Sequence, residues 1–306
     1  VKGETPLSFT EIGQFGFVAL QPPSFITSTD GTRLAYYPVR ANKPVAALVF
    51  IHGGGAWSGA GYQYLAKGLA ERHRVSVYLS DIRGHGNSGG PRGDAPSPTQ
   101  VFGDLRSLTE AVGRENRAVP LYLGGHSSGA GLVLNYLTSN KDEAVWGYIF
   151  VSPQFGYRSK TERKGTKGRF VRVNVGLLVL NRIFRGRRFG NSRAVFFNYP
   201  EEVRRFQPLI LGSITCNMAV ALTPLNPRRQ FAAIDKPFGL FIGRNDELFD
   251  PERVVEYAKL PGAGIRTRSR ARIIEGENHL SILTMIDGPI GEAVGTMNSG
   301  YRHPRG

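Results

Sequence analysis

Apolar residues fall along this chain in two alternating rhythms. Runs at 45–51 (VAALVFI), 75–79, 145–151 and 238–242 are almost unbroken, the pattern of β-strands buried on both faces. Between them the apolar positions spread out. Val101, Leu105, Leu108 and Val112 recur every three or four residues and predict a helix over 99–114, while Leu132, Leu134 and Leu137 pack a second over 130–138. Further helices are expected near 62–71, 251–258 and 286–297, and shorter strands at 121–123 and 271–274. Asp30-Gly31 separates β-type runs at 25–28 and 33–39, which is a hairpin signal. Strands alternating with helices imply an α/β fold, with a mostly parallel central sheet and helices on both faces.

The alternation stops between Gln154 and Arg229, where helical and irregular patterns surround no clear buried strand. This interval reads as an insertion into one α/β domain. The expected organisation is a core of residues 1–153 and 230–306 with an inserted segment, 154–229. At 306 residues, 41% hydrophobic and 21% charged, the chain is long and apolar enough for one sizeable core, and neither disorder nor a coiled coil is indicated. The one cysteine, Cys216, excludes an internal disulfide and leaves the compartment open. No apolar run reaches the roughly 18 residues of a spanning helix. The chain begins at Val1, as after trimming of a tag or of an N-terminal segment.

The net charge of +15 is placed unevenly. Residues 158–193 hold twelve Lys or Arg against Glu162 alone, so 12 − 1 = +11 of the total lies there. A nucleic-acid patch, an anionic-membrane patch and a merely solvated face all fit such a run. No recognition module accompanies the charge, so no nucleic-acid partner is expected. Within it, 170–189 mixes apolar residues with Arg172, Arg182, Arg185, Arg187 and Arg188. That suits either a pocket wall with arginines snorkelling outward or a helix lying on an anionic membrane as a peripheral contact.

Candidate chemistry centres on Gly125-His126-Ser127-Ser128-Gly129, a G-x-S-x-G between a predicted strand and a predicted helix. A serine on so tight a turn takes a strained backbone, and side chains two residues to either side would collide with it. The turn also sets the Ser127 hydroxyl at a helix N-terminus, where developing negative charge is favoured. Ser128 lacks glycines in register and is better placed to offer its backbone N–H. A serine nucleophile needs a base, and the base needs a partner that fixes its tautomer. Of six histidines, His52, His73, His85 and His126 precede or adjoin the serine and His303 lies in a polar tail, leaving His279, which follows the 271–274 strand. The acid is expected between the two, just past a strand. Asp246, after 238–242, is the choice; Glu247 and Asp250 are the alternatives, and Asp250 before Pro251 also reads as a helix N-cap. A second oxyanion donor is expected from His52-Gly53-Gly54-Gly55-Ala56-Trp57, whose glycines let the backbone approach a substrate oxygen.

Gly84-His85-Gly86-Asn87-Ser88-Gly89 fits the dinucleotide fingerprint G-x-G-x-x-G, but Gly90-Pro91-Arg92-Gly93 follows where a helix should start. Metal-ligand spacings such as H-E-x-x-H do not occur, and neither metal nor cofactor is expected.

These residues resemble the monoacylglycerol lipase and lysophospholipase branch of the α/β-hydrolases. Four segments carry the resemblance: 50–59 (FIHGGGAWSG), 81–88 (DIRGHGNS), 123–129 (LGGHSSG) and the Asp246/His279 pair. The resemblance spans about residues 24–286, with the insertion matching least. It implies the α/β-hydrolase fold, a helical cap formed by the insertion over the site, and backbone N–H groups of Gly54 and Ser128 as the oxyanion hole. It implies a structural role for Asp81, Arg83 and His85. Cleavage of a small ester or monoacylglycerol through Ser127, Asp246 and His279 follows, without a cofactor. Relatives often carry Met or another apolar residue where Ser128 stands. Peptidase, thioesterase or perhydrolase chemistry on the same triad, and a non-catalytic interaction protein, are the competing readings. A carbon–halogen or epoxide hydrolase would place aspartate at position 127.

Overall fold

The computed structural model describes residues 7–8, 19–139, 142–163, 170–299 and 301. Lys164, Lys167 and Arg169 of the basic run, and His303, lie outside the described residues. An eight-stranded sheet runs through the molecule in the order β1-β2-β4-β3-β5-β6-β10-β11. Its strands are β1 (Ser24–Thr27), β2 (Arg33–Val39), β3 (Ala46–Ile51), β4 (Val75–Ser80), β5 (Leu121–His126), β6 (Val145–Val151), β10 (Phe238–Gly243) and β11 (Arg270–Ile274). β2 pairs antiparallel with β1 and β4, as the hairpin signal requires, and the other pairs are parallel. β3, β4, β5 and β10 are buried at every position, which is why their sequences do not alternate.

Helices cover both faces. α1 (Tyr62–His73) packs with the C-terminal α9 (Asp287–Asn298) on one side, burying Leu65, Leu69, Ile290 and Val294 in one core cluster. α2 (Pro98–Glu115) and α3 (Ser128–Ser139) bury Val101, Leu105, Leu108, Leu132 and Leu134 in the other. Ser97 caps α2 by accepting from Gln100 N, and Pro98 sits at its first turn, where a missing N–H costs nothing.

Between β6 and β10 the chain builds something the sequence pattern does not announce. The insertion contains a three-stranded antiparallel sheet of β7 (Val171–Val173), β8 (Arg193–Phe197) and β9 (Ser213–Thr215), alongside α4 (Val175–Ile183), α5 (Glu201–Phe206) and α6 (Cys216–Leu222). The expected helical cap is therefore a mixed α/β insertion. Strands of three to five residues are too short for a period-two signal to rise above their surroundings. Two further helices, α7 (Pro227–Ala232) and α8 (Pro251–Val255), flank β10. Asp250 caps α8 through Arg253 N, the role its place before Pro251 suggested.

The G-x-G-x-x-G segment is an irregular loop. Gly84 and Gly86 adopt positive φ, and no helix begins until Pro98, so no dinucleotide fold follows it. Its charged neighbours are structural. Asp81 accepts from Ser58 N, Asn87 N and Tyr37 Oη, and buried Arg83 pairs with Asp30 and Asp104. His85 is buried, and desolvation pushes its pKa down to about 3, so it is neutral.

Candidate active site

The parallel register of β3 and β5 brings the first two site segments together. Ile51 pairs with Gly125, so two residues further along each strand Gly53 meets Ser127. A Cβ on Gly53 would lie 3.2 Å from Ser127 Cβ. These strands flank the sheet's switch point, since β3 connects onward to β4 on one side and lies against β5 on the other. Crevices beyond strand carboxyl ends collect ligands in such sheets. Ser127 has φ 53°, a left-handed conformation that costs a serine energy and is kept because the turn from β5 into α3 allows no other. The flanking glycines are sterically obligatory. A Cβ on Gly125 would lie 2.5 Å from Gly129 C, and one on Gly129 would lie 2.5 Å from Ile51 O and closer still to His52 O.

The far side of the site is built by β10 and β11, which are paired up to Gly243 and Ile274. Three residues beyond Gly243 stands Asp246, and five beyond Ile274 stands His279. Asp246 Oδ2 accepts from His279 Nδ1 at 2.8 Å, with the carboxylate fully buried. Its other oxygen accepts from Leu248 N and Phe249 N, both at 2.9 Å. Burial alone would raise the Asp246 pKa, but the attraction and hydrogen bond of His279 and the two N–H groups outweigh it and hold it below the usual value. The carboxylate therefore stays charged and commits His279 Nδ1 as a donor. Nε2 is then the ring nitrogen left over, with no hydrogen bond among the described residues.

Glu247, the neighbouring alternative, bonds main-chain groups and not the His279 ring. Its carboxylate accepts from His279 N at 3.0 Å and from Ser8 N at 3.0 Å, bracing the main chain that carries the histidine.

A network that the sequence reading did not find ties the two halves together. His126 Nε2 donates to His279 O at 2.9 Å, which makes its Nδ1 an acceptor. Tyr62 Oη donates to that Nδ1 at 2.9 Å and itself accepts from Gly53 N at 2.7 Å. Desolvation, with the nearby His279, pushes the His126 pKa down to about 3, so this tautomer is kept at neutral pH. His52 is likewise buried and lowered to about 4 by desolvation. It donates from Nδ1 to Gly53 O and accepts Ile82 N at Nε2. Its place in the glycine motif is architectural.

With Gly53 N–H held by Tyr62, the next N–H in the loop, that of Gly54, has no acceptor among the described residues. The N–H of Ser128 is the first of α3, and the first turn of a helix leaves such donors without a helical partner. Ser128 Oγ is buried with no partner among the described residues and would lie 2.9 Å from a Cβ on Gly54, so the two residues face each other closely. The insertion holds this loop from outside. Tyr199 Oη donates to Gly54 O at 3.0 Å, Leu211 N to Gly55 O at 2.7 Å, and Trp57 Nε1 to Gln207 Oε1 at 2.9 Å. The Phe197 ring closes over Gly54 and Gly55 so tightly that a Cβ on Gly55 would lie 2.7 Å from it.

Arg163 is a second residue that sequence reasoning missed. Counted with the basic run, it instead points inward. Nε reaches Asp246 O at 2.5 Å and Phe249 O at 3.2 Å, and Nη2 reaches Arg244 O at 3.2 Å. Residues 161–163 also pair in backbone fashion with 248–250. The signal for this role is tertiary; nothing local distinguishes Arg163 from its exposed neighbours. Among the described residues no cluster of three or more His, Cys, Asp or Glu is arranged to hold a metal.

A protein-family model described as "Serine aminopeptidase, S33" matches residues 42–280, from just before β3 through His279. The chain belongs to that family. It is an α/β-hydrolase of the kind that includes monoacylglycerol lipase-like proteins. A monoacylglycerol lipase of Mycolicibacterium smegmatis is 31% identical over 93 residues, 30% of this chain and 32% of its own length. The uncharacterised protein YnbC of Escherichia coli is 26% identical over 76% of this chain and 40% of its own. The matched stretches amount to only 11–40% of the length of the most similar curated relatives. Among solved structures, a soluble variant of the Saccharomyces cerevisiae monoglyceride lipase, in complex with a substrate analogue, superposes with a TM-score of 0.70. The two are 18% identical over 93% of this chain and 96% of that one. At that identity the likeness establishes a shared fold.

Proposed function

We propose that this chain is a serine carboxylic-ester hydrolase of the esterase or monoacylglycerol lipase type, working through an acyl-enzyme. The observation that carries the reading is the buried Asp246–His279 hydrogen bond at 2.8 Å. It lies at the same edge of the sheet as a serine held at φ 53° beside two uncommitted backbone N–H groups.

In the mechanism this supports, Ser127 Oγ attacks the ester carbonyl carbon while His279 Nε2 takes its proton. Asp246 keeps Nδ1 protonated and stabilises the imidazolium. Charge developing on the carbonyl oxygen is met by Gly54 N–H and Ser128 N–H, and the α3 dipole adds to their effect. Each such donor is worth roughly a hundredfold to a thousandfold in rate. The tetrahedral intermediate collapses as His279 returns the proton to the departing alcohol. Water then attacks the acyl-enzyme by the same route in reverse and releases the acid, restoring Ser127. Residues 154–229 act as a cap that borders the acyl site, with Phe197 against the oxyanion loop.

The family description names an aminopeptidase, so amide cleavage is the second reading. Recognition of a free α-amino group calls for carboxylates near the site. The two carboxylates described beside His279 are already engaged, Asp246 with the His279 ring and Glu247 with the main-chain N–H groups of Ser8 and His279, which speaks against that reading. The small-molecule ester reading also agrees with the names of the relatives above.

The test is hydrolysis of p-nitrophenyl esters from acetate to palmitate and of 1-monoacylglycerols, beside amino-acid p-nitroanilides, with Ser127→Ala as control. Ester turnover abolished in the variant is the expected result. Turnover of the anilides in preference to the esters, or ester turnover retained by Ser127→Ala, would reject the proposal.

A further inference from the structure

One polar side chain beside the nucleophile belongs neither to the triad nor to its main-chain donors. Ser128 Oγ is buried and bonds nothing among the described residues. Its place in the chain accounts for this. A serine inside a helix can return its hydroxyl to the carbonyl three or four residues back. Ser128 opens α3, so those carbonyls belong to Gly125 and Gly124 of β5, a strand paired with β3 on one side and with β6 on the other. The hydroxyl is left without a local acceptor. Burying it unpaired destabilises the folded chain, where an alanine would bury no polar group at all.

The place the hydroxyl occupies says what it is for. A Cβ on Gly54 would lie 2.9 Å from Ser128 Oγ, so the hydroxyl stands against the α-carbon of the residue that offers the first oxyanion N–H. The Phe197 ring shelters the same spot, its Cζ 3.0 Å from that Cβ position. Gly54 N–H, Ser128 N–H and Ser128 O–H thus come from two residues in close contact. The two N–H groups are fixed by the main chain, but a hydroxyl turns about its own single bonds and can follow an oxygen that the main chain holds.

We propose that Ser128 Oγ is a third oxyanion donor, a catalytic residue separate from its own main-chain N–H. The inference rests on the serine-hydrolase reading above, though not on which alcohol or amine departs, since the same oxygen gains charge in any acyl transfer to Ser127. As that oxygen becomes an anion, the hydroxyl finds the acceptor that the protein does not supply. A hydrogen bond to an ionised oxygen is roughly twice as strong as one to a neutral carbonyl, so the gain falls on the transition state more than on bound substrate. A donor kept unpaired in the free enzyme also has no protein bond to break when the reaction calls on it.

The experiment compares wild type with Ser128→Ala, which removes one oxygen and fits the space that remains. It reads kcat and KM on p-nitrophenyl esters, the Tm, and the rate at which a fluorophosphonate labels Ser127, a step in which the serine oxygen bonds phosphorus and fluoride leaves. With two donors still present, kcat should fall about tenfold to a hundredfold while KM stays within about twofold. The labelling rate should fall with kcat, because the phosphonyl oxygen stands where the carbonyl oxygen would. The Tm should hold or rise by about 2–4 °C, since a buried unpaired hydroxyl has been removed. A hydroxyl that merely braces the turn would lower it. Unchanged kcat and labelling, or a loss of rate with a Tm several degrees lower, would overturn the proposal. Ester turnover that ignores the substitution sinks this inference and leaves the ester reading intact. Ser128-dependent labelling in a protein that hydrolyses no ester does the reverse, and a wild type that is not labelled at Ser127 rejects both.

Discussion

Replacing Tyr62 by phenylalanine removes one oxygen and keeps the ring that packs beside Phe50 and His52. That oxygen has two partners, Gly53 N at 2.7 Å and His126 Nδ1 at 2.9 Å, and all three groups are buried. The variant leaves one buried donor and one buried acceptor unpaired, at about 1–3 kcal/mol each. His126 has no ready escape. Its Nε2–H is committed to His279 O, and adding a proton at Nδ1 is opposed by the burial that already holds its pKa near 3. Nor does loss of a single oxygen open room for a water, whose share of liquid volume is about 30 Å³. After offsetting the hydroxyl that no longer has to be desolvated, we expect a net loss of about 3 kcal/mol. For a domain this large that is a fall of roughly 6–12 °C in Tm. The assay is thermal unfolding followed by circular dichroism, together with p-nitrophenyl ester kinetics. Gly53 precedes the proposed oxyanion donor, so kcat should fall about tenfold to a hundredfold with KM less affected. A Tm within about a degree of wild type and an unchanged kcat would refute the reasoning.

Asp246→Asn should lower kcat on the same esters by about 10⁴ with the fold retained. Its amide keeps Leu248 and Phe249 N–H satisfied only by turning its NH₂ toward His279 Nδ1, which forces the wrong tautomer. The same pair of proteins tests linkage. The native carboxylate is depressed, so its stabilisation is present above the ordinary carboxylate pKa and lost as pH falls through the lower folded value; the Tm gap between wild type and Asp246→Asn should narrow over that acid range. Gly129→Ala drives a methyl into the main-chain oxygens of Ile51 and His52, neither of which can swing aside. It should be insoluble or inactive, and a soluble variant with wild-type Tm and activity would contradict the packing of α3 on β3. Arg163→Ala frees the carbonyls of Arg244, Asp246 and Phe249 and should cut kcat about tenfold while leaving KM nearly fixed, whereas an unchanged kcat would mean that the acid loop holds itself.

The parts of this molecule legible in the sequence are those whose constraint is local. The turn at Ser127 tolerates only glycine at 125 and 129, so its sterics are written in five consecutive residues. Buried parallel strands such as β3 and β10 must be apolar throughout, and strand ends then point to Asp246 and His279. Tyr62, Arg163 and Tyr199 were not legible because their partners lie 64, 83 and 145 residues away, and as isolated letters they resemble any core tyrosine or surface arginine. The strands β7 to β9 escaped for a related reason, since they are defined by pairing with one another and barely by their own composition. In α4 the sequence displayed the apolar and basic residues together but not which of them faced outward. That depends on where β8 and α6 pack against the helix.

The oxyanion loop joins these two kinds of information. Its glycines are visible in the sequence, yet glycine permits many orientations of a peptide group, and catalysis needs one. Three successive residues are each fixed by a different element. Gly53 N–H is held by Tyr62 of α1, Gly54 O by Tyr199 of the insertion, and Gly55 O by Leu211 N–H. The peptide before Gly54 has its own carbonyl tied, Gly53 O taking His52 Nδ1 and Ala56 N, and the peptide after it is tied through Gly54 O, so the Gly54 N–H is held in place while having no acceptor among the described residues. Two of the three ties come from residues 154–229. On the proposed mechanism the insertion therefore bears on the chemistry through these ties, and anything that shifts β8 acts on the proposed oxyanion donor through only a few residues of chain.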